Sequence, residues 1–354
     1  MLKKWSHCFN RYLGRPEMVV LLTTLVALML VVVYFGQLLA PVFASIVVAY
    51  LLQWPMNRLE RLKMPHVGAV VVTYLAFVSV VVLSFLVLLP LLWHQLSNLF
   101  NALPTMLGKG QALLMDLPRR YPSYISVLEI QGLIADVKSQ SLALGQEILT
   151  ASFRSLCTLA SLCIYLILVP LLVYFFLMDK EPLLAFVARY LPEKRELLTA
   201  VWLEVYEQIG HYVRGKVVEV VIVSIAFYLQ FAFMHFNYAI LFAVLVGFSV
   251  IIPYVGAVIV TVPVFIMAFL QWGLTPYFGY FVLIYSVLIA LDGNVLVPLL
   301  FAEAVSLHPV AIILAVLFFG SLLGFWGVFF AIPLASVVKA VLRVLVPVPE
   351  STQA

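Results

Sequence analysis

Charge is what this sequence has least of. Of 354 residues, 16 are acidic and 20 are lysine or arginine. Between Lys216 and Lys339 no lysine or arginine occurs, and the only acids there are Glu219, Asp292 and Glu303. With 65% hydrophobic residues and a mean hydropathy of +1.15, the chain has too little polar surface to cover a water-soluble globule. It is a membrane protein. Cysteine is equally scarce: Cys8, Cys157 and Cys163 have no C-x-x-C spacing, so neither a disulfide scaffold nor a cysteine metal site is indicated. No Walker A sequence, Rossmann glycine pattern or H-E-x-x-H occurs, which argues against an ATP-driven pump and a zinc protease. An intramembrane aspartyl protease needs a second membrane aspartate, and Asp292 is alone among the apolar runs. The net charge of +4 is mostly a bias at membrane flanks and offers no surface for nucleic acid. The chain reads as a non-enzyme with no cofactor.

What is present is length. Crossing the hydrocarbon by helix takes about 20 apolar residues, and eight runs approach or exceed that: 18–35, 38–54, 67–92, 156–177, 217–236, 238–270, 277–300 and 309–342. They are continuously apolar, whereas barrel strands would alternate apolar and polar positions. The expected fold class is therefore an all-α polytopic membrane protein of about eight segments. The first run follows a long charged leader and is trailed almost at once by a second, so it reads as a retained helix rather than a cleaved signal.

Lysines and arginines in short flanks set the orientation. Lys3, Lys4, Arg11 and Arg15 precede the first segment, Arg58, Arg61 and Lys63 follow the second, and Lys339 and Arg343 lie near the end. The turn expected at Gly36-Gln37 has none. Both termini read as cytoplasmic. The organisation expected is membrane segments one to three within 1–92, an outer-face helical segment over 93–155 broken near "LPRRYPSY", and segment four over 156–177. A cytoplasmic amphipathic helix over 178–216 follows, then segments five to eight over 217–342 and a tail over 343–354. Within 178–216, Leu198, Val201, Val205, Ile209 and Tyr212 recur at helical spacing and mark a packed or membrane-resting face.

Segments six and eight are too long for upright spans and carry helix-breaking residues. "GFSVIIPYVGAVIVTVP" contains Pro253 and Gly256; "GSLLGFWGVFFAIP" contains Gly327 and Pro333. Each has an aromatic residue two places before a glycine and a proline six or seven after it. Proline removes a backbone donor and glycine releases the backbone, so both segments are expected to be broken or re-entrant. Such breaks are tolerated in lipid only beside protein or water, and paired breaks point to a transporter's binding region.

Segment seven holds the other anomaly, "ALDGNVLVPLLFAEAVSLHP". An aspartate near the bilayer centre costs roughly 2.5–3.5 kcal/mol on insertion scales and faces a cavity or partner. Asp292 is thus a functional candidate. Gly293 and Pro298 loosen the helix, and Pro298 leaves the Asn294 carbonyl without its usual donor. A carboxylate, an amide and a free carbonyl within one turn can bind a cation or take a proton. In an unbroken helix Glu303 would return to the same face, eleven residues being about three turns. The alternative is that Asp292 and Asn294 bond neighbouring helices through Ser249, Tyr254 or His308.

The stretches "IPYVGAVIVTVPV", "ALDGNVLVPLLFAEAVSLHPVAII" and "GFWGVFFAIPLASVVKAVL", in this order after "RGK" at 214–216, resemble the autoinducer-2 exporter family, and within it the PerM-type inner-membrane permeases of Gram-negative bacteria. The resemblance implies a multi-pass inner-membrane protein that transports a small molecule or ion and forms a homo-oligomer in the bilayer. It leaves open signal export and cation/proton antiport, and a membrane scaffold without transport stays an alternative. It implies no established role for positions 253–256 or 292–294.

Overall fold

Apolar runs of this length satisfy their backbone groups only by helix. In the computed structural model, which describes residues 16–120, 132, 164–190, 196–253, 255–301 and 307–345, every regular element is helical. In chain order they are α1 (Pro16–Arg61), α2 (His66–Leu83) and α3 (Leu89–Arg120). Then come α4 (Ile164–Met178), α5 (Lys180–Arg189), α6 (Glu196–Phe233), α7 (Ala239–Ser249) and α8 (Val255–Trp272). The last four are α9 (Pro276–Leu291), α10 (Val297–Phe301), α11 (Pro309–Phe329) and α12 (Ala331–Leu345). Among the described residues six stretches are long and apolar enough to cross a membrane: 38–61, 66–112, 206–233, 255–272, 276–301 and 309–329. The fold is all-α and polytopic.

At three expected boundaries the helix runs on without a break. The turn at Gly36-Gln37 is not formed: α1 runs on through it as one helix of 46 residues. Two residues flanked by strong helix formers give the backbone no partner outside the helix, so its own ladder wins. The boundary at 92/93 is likewise bridged. A π-helical turn over Ser84–Leu88 joins α2 to α3, and the helix continues to Arg120; the second half of "LPRRYPSY" lies outside the described residues. At 216/217 the amphipathic stretch simply continues as α6, 38 residues long.

A second π-helical turn, Asp292–Leu296, joins α9 to α10. Both π turns end two residues before a proline, Pro90 and Pro298. Proline cannot donate to the ladder, and its ring crowds the carbonyl one turn back. Widening the helix by one residue makes room, so the chain passes each proline without a break. In the second case the Val297 N–H donates to the Asp292 carbonyl, five residues back.

Segments six and eight fold back on themselves. α7 runs antiparallel to α6, and α8 returns beside it. At one end the Asn237 N–H donates to Gln271 Oε1 at 2.9 Å, and Gln271 Nε2 donates to the His235 carbonyl at 2.8 Å. At the other end Gly256 lies so close to the Ser249 carbonyl that a Cβ would collide with it. Pro253 sits in the connecting turn. The second fold-back is at Gly324, inside α11, with φ 60° and ψ −136°. A left-handed φ of this kind suits glycine alone. Gly327 then packs on the Phe319 carbonyl, leaving no room for a side chain. Pro333 is in the first turn of α12, where its missing N–H is no loss.

α9 descends beside α6, and aromatic rings fill the space between them. Phe227 and Tyr285 are 4.8 Å apart, Phe231 and Phe236 4.9 Å, and Phe236 and Phe281 5.0 Å, centre to centre. Gln230 Nε2 donates to the Phe281 carbonyl at 3.1 Å within this core. α3 lies across the same end of the bundle: Gln95 Oε1 accepts from the Leu241 N–H at 2.9 Å, the Tyr238 hydroxyl donates to the Asn98 carbonyl at 3.3 Å, and Gly110 meets Leu270.

Candidate functional site

Lys216, Glu219 and Asp292 lie at one depth. Lys216 is seventeen residues before the end of α6 and Asp292 sixteen after the start of α9, which at 1.5 Å per residue is about 25 Å for each. The tip of the α7–α8 hairpin ends at the same level. Lys216 Nζ donates to Glu219 Oε2 at 2.7 Å and to the Val250 carbonyl at 2.8 Å. Both residues are buried, with relative exposures of 5% for Lys216 and 1% for Glu219.

Tyr212, Lys216 and Glu219 are spaced i, i+4 and i+7, so they share one face of α6. Below Lys216 the Phe301 ring forms an aromatic floor, its centre 5.3 Å from the ammonium and 5.6 Å from the Tyr212 ring. Gly215 permits this, because a Cβ there would meet the Phe301 ring. Tyr212 is 1% exposed, and its hydroxyl has no hydrogen-bond partner among the described residues; neither has the buried Oδ1 of Asp292. Asp292 is within electrostatic reach of Lys216 and Glu219, and Tyr212 within reach of Glu219.

Of the candidates named from sequence, Asp292 is part of this cluster. Asn294 is not: it is exposed, and its Nδ2 donates to the Ala290 carbonyl of its own helix at 2.8 Å. Two residues along the helix from Asp292, it lies on another face. Glu303 lies outside the described residues. Gly293 and Pro298 flank Asp292 and are exposed, Pro253 and Gly256 form the hairpin tip above Lys216, and Gly327 and Pro333 belong to the second hairpin. Ser249 bonds to Val246 of its own helix, and His308 accepts from the Val310 N–H, so neither is a partner of Asp292. Tyr254 lies outside the described residues.

Lys216, Glu219 and Tyr212 are the residues sequence reasoning passed over as site members. Lys216 looked like the last cytoplasmic charge before a span, and Glu219 like a flank. The available signal was the i, i+4, i+7 spacing of a phenol, a cation and an acid entering an apolar run. Among the described residues no three histidine, cysteine or acidic side chains group as a metal site.

A buried cation held between a carboxylate and a backbone carbonyl, beside a second carboxylate and a broken helix, is an arrangement that membrane transporters also place at their binding regions. Residues 22–346 match the family model described as AI-2E family transporter. The chain belongs to the AI-2E transporter family. It is similar to a protein of Escherichia coli (strain K12) that bears the permease name PerM, 44% identical over 343 residues, 97% of this chain and 96% of that one. It is also similar to a Bacillus subtilis (strain 168) protein named as the transport protein YueF, 24% identical over 318 residues, covering 87% of this chain and 84% of the relative. The AI-2E transporter family assignment and the apolar helices together make this a multi-pass membrane protein of a transport family.

Proposed function

We propose that this member of the family is a secondary carrier that moves a small molecule or ion across the bacterial inner membrane and uses Asp292 as a coupling group. What supports the reading is the buried Lys216–Glu219 pair beside the unpartnered Asp292 Oδ1 at the tip of a hairpin. Two carboxylates face one ammonium, so a site with both acids ionised carries one uncompensated negative charge. A buried charge without a partner is costly, and a site that exchanges one positive charge with an ion gradient relieves that cost on loading. The same surplus favours cation/proton antiport as the particular form of carrier.

In this reading α7–α8 and the α11–α12 pair are re-entrant hairpins, with residues 234–238 and 273–275 at the outer face. The chain then ends in the cytoplasm. Lys and Arg at both ends of α1 support a cytoplasmic N-terminus as well. The apolar part of α1, residues 18–54, would be about 55 Å long as one helix, far beyond a hydrocarbon core of about 30 Å. It crosses twice if it opens near Gly36-Gln37 in lipid. The long rows of exposed Leu, Val and Phe suit a homo-oligomer in the bilayer.

The test is proton and sodium flux into proteoliposomes that contain only this protein, wild type against Asp292→Asn. Protein-dependent flux lost in a folded Asp292→Asn variant supports the reading. Flux that survives the substitution removes Asp292 from the coupling step. No protein-dependent flux of either ion removes ion coupling altogether.

A further inference from the structure

Among the described residues four buried side-chain atoms lack partners, and two of them, an acceptor (Asp292 Oδ1) and a donor (the Tyr212 hydroxyl), belong to this site; buried polar groups seldom remain so in a single-state protein. Both lie around the Lys216–Glu219 pair. Lys216 spends two of its three N–H donors on Glu219 and on the Val250 carbonyl. A second arrangement uses the same atoms: the ammonium bonds Asp292 Oδ1, and the Tyr212 hydroxyl bonds Glu219 in its place. The two groups that gain a partner there are the two left unsatisfied here. The one group that loses its donor is the Val250 carbonyl, at the tip of the α7–α8 hairpin.

We propose that Lys216 is a two-position tethered counter-ion, which holds the hairpin tip through Val250 while it pairs with Glu219 and releases the tip when it passes to Asp292. This rests on the carrier reading above and names the moving part of that site.

The move needs one positive charge from outside. Leaving Glu219 ionised and alone at 1% exposure would be prohibitive, so a proton adds to its carboxylate or a monovalent metal cation seats beside it. In the proton case Glu219 becomes a neutral acid, Lys216 keeps its three protons, and the Asp292 charge is the one the ammonium balances. On the Lys216 face of α6 the titratable groups are Tyr212 and Glu219, and on the α9–α10 helix Asp292; α1 also packs on α6, where its Tyr50 lies under the Arg214 guanidinium at 5.6 Å. The α7–α8 hairpin carries no acid, base or histidine between 239 and 272, and its one tyrosine, Tyr254, lies outside the described residues. α11 carries none, and α12 carries Lys339 and Arg343 beyond its first turns.

The experiment uses the full chain in nanodiscs with Cys8, Cys157 and Cys163 replaced by serine and a single Ile252→Cys at the hairpin tip, read by its rate of maleimide labelling. Lowering the pH from about 8 to about 5 without sodium, across the range of a buried carboxyl, is one arm. Raising sodium at constant pH about 8 is the other. A several-fold rise in rate in the first arm identifies the proton, and in the second a metal cation. Thiolate falls with pH, so the reagent's own chemistry runs against the first result. Lys216→Arg keeps the response, because a guanidinium can still reach both acids. Lys216→Met combined with Glu219→Gln, which removes one charge of each sign and leaves the net charge of the site as it was, gives a fast rate that follows neither pH nor sodium. A wild-type rate indifferent to both arms overturns the proposal, as does a double variant that tracks the wild type. Flux with an unresponsive tip refutes the switch and spares the carrier; a responsive tip without flux does the reverse.

Discussion

Lys216 and Glu219 stand three residues apart on α6 with their charged atoms 2.7 Å from each other and only 6% and 2% of their side chains exposed. An ion pair this deep is held by compensation, not by favourable burial, since each charge alone in the apolar interior is far worse than the two together.

Removing the lysine alone should therefore cost more than removing both partners. Lys216→Met, which leaves two carboxylates without a cation, should lower stability by about 3–5 kcal/mol, Glu219→Gln by less because Asp292 still balances the ammonium, and the double substitution by less than the sum of the two. Chemical denaturation in detergent, run as a double-mutant cycle, measures this. Additive losses would mean that the pair is not coupled.

Two glycines at the fold-backs should be intolerant of even one methyl group. Gly256→Ala and Gly327→Ala each place a Cβ against a backbone carbonyl and should cost about 1–3 kcal/mol of overpacking. Gly324→Ala meets open space but a left-handed backbone, with a loss of about 1–3 kcal/mol from strain. Gly279→Ala, in open space within a helix, should be neutral or slightly stabilising. Thermal unfolding of the four purified variants separates these cases.

The class of fold was legible because continuous apolar runs leave the backbone no choice but helix. The two fold-backs were legible for a related reason: Pro253 with Gly256, and the glycines around Gly327, stand at matching places inside runs too long for one span. Within the second, the turning residue is Gly324, and nothing local separates it from Gly320 or Gly327. Hydropathy was silent on the turn at Gly36-Gln37 and on the join at 92/93, because a helix that continues and a helix that turns have the same composition. Asp292 stood out by isolation. Lys216 and Glu219 did not, because a charge at the edge of a run looks the same whether it faces water or an interior carbonyl 34 positions away in sequence.

Native Cys8 reports the side of the membrane on which the N-terminus lies. With Cys157 and Cys163 replaced by serine, Cys8 should react with an impermeant maleimide only after the inner face is opened. Single cysteines at Asn237 and Gly273 should both react from the outside of intact cells. Labelling of Gly273→Cys from the inside would mean that α7 and α8 complete a crossing between them, contrary to the hairpin arrangement.

The docking of α3 hangs on few polar contacts. Gln95→Ala removes the acceptor of the Leu241 N–H and should cost about 0.5–1.5 kcal/mol. Faster hydrogen exchange should be confined to the start of α7 and the middle of α3. Unchanged exchange at Leu241 would show that the helix is seated by its apolar face alone.

Tyr212 and Lys216 occupy successive turns of the same helix face, and each touches a different hairpin. The Tyr212 ring lies 6.2 Å from Phe329 of the α11–α12 pair, and the Lys216 ammonium bonds Val250 of the α7–α8 pair. α6 is thus an axle with two arms fixed about 6 Å apart along it, one pinned by a polar bond and one by an aromatic contact. Any rotation of that axle reaches both arms in the same stroke. Slackening the polar pin lets one arm swing while the other keeps its grip.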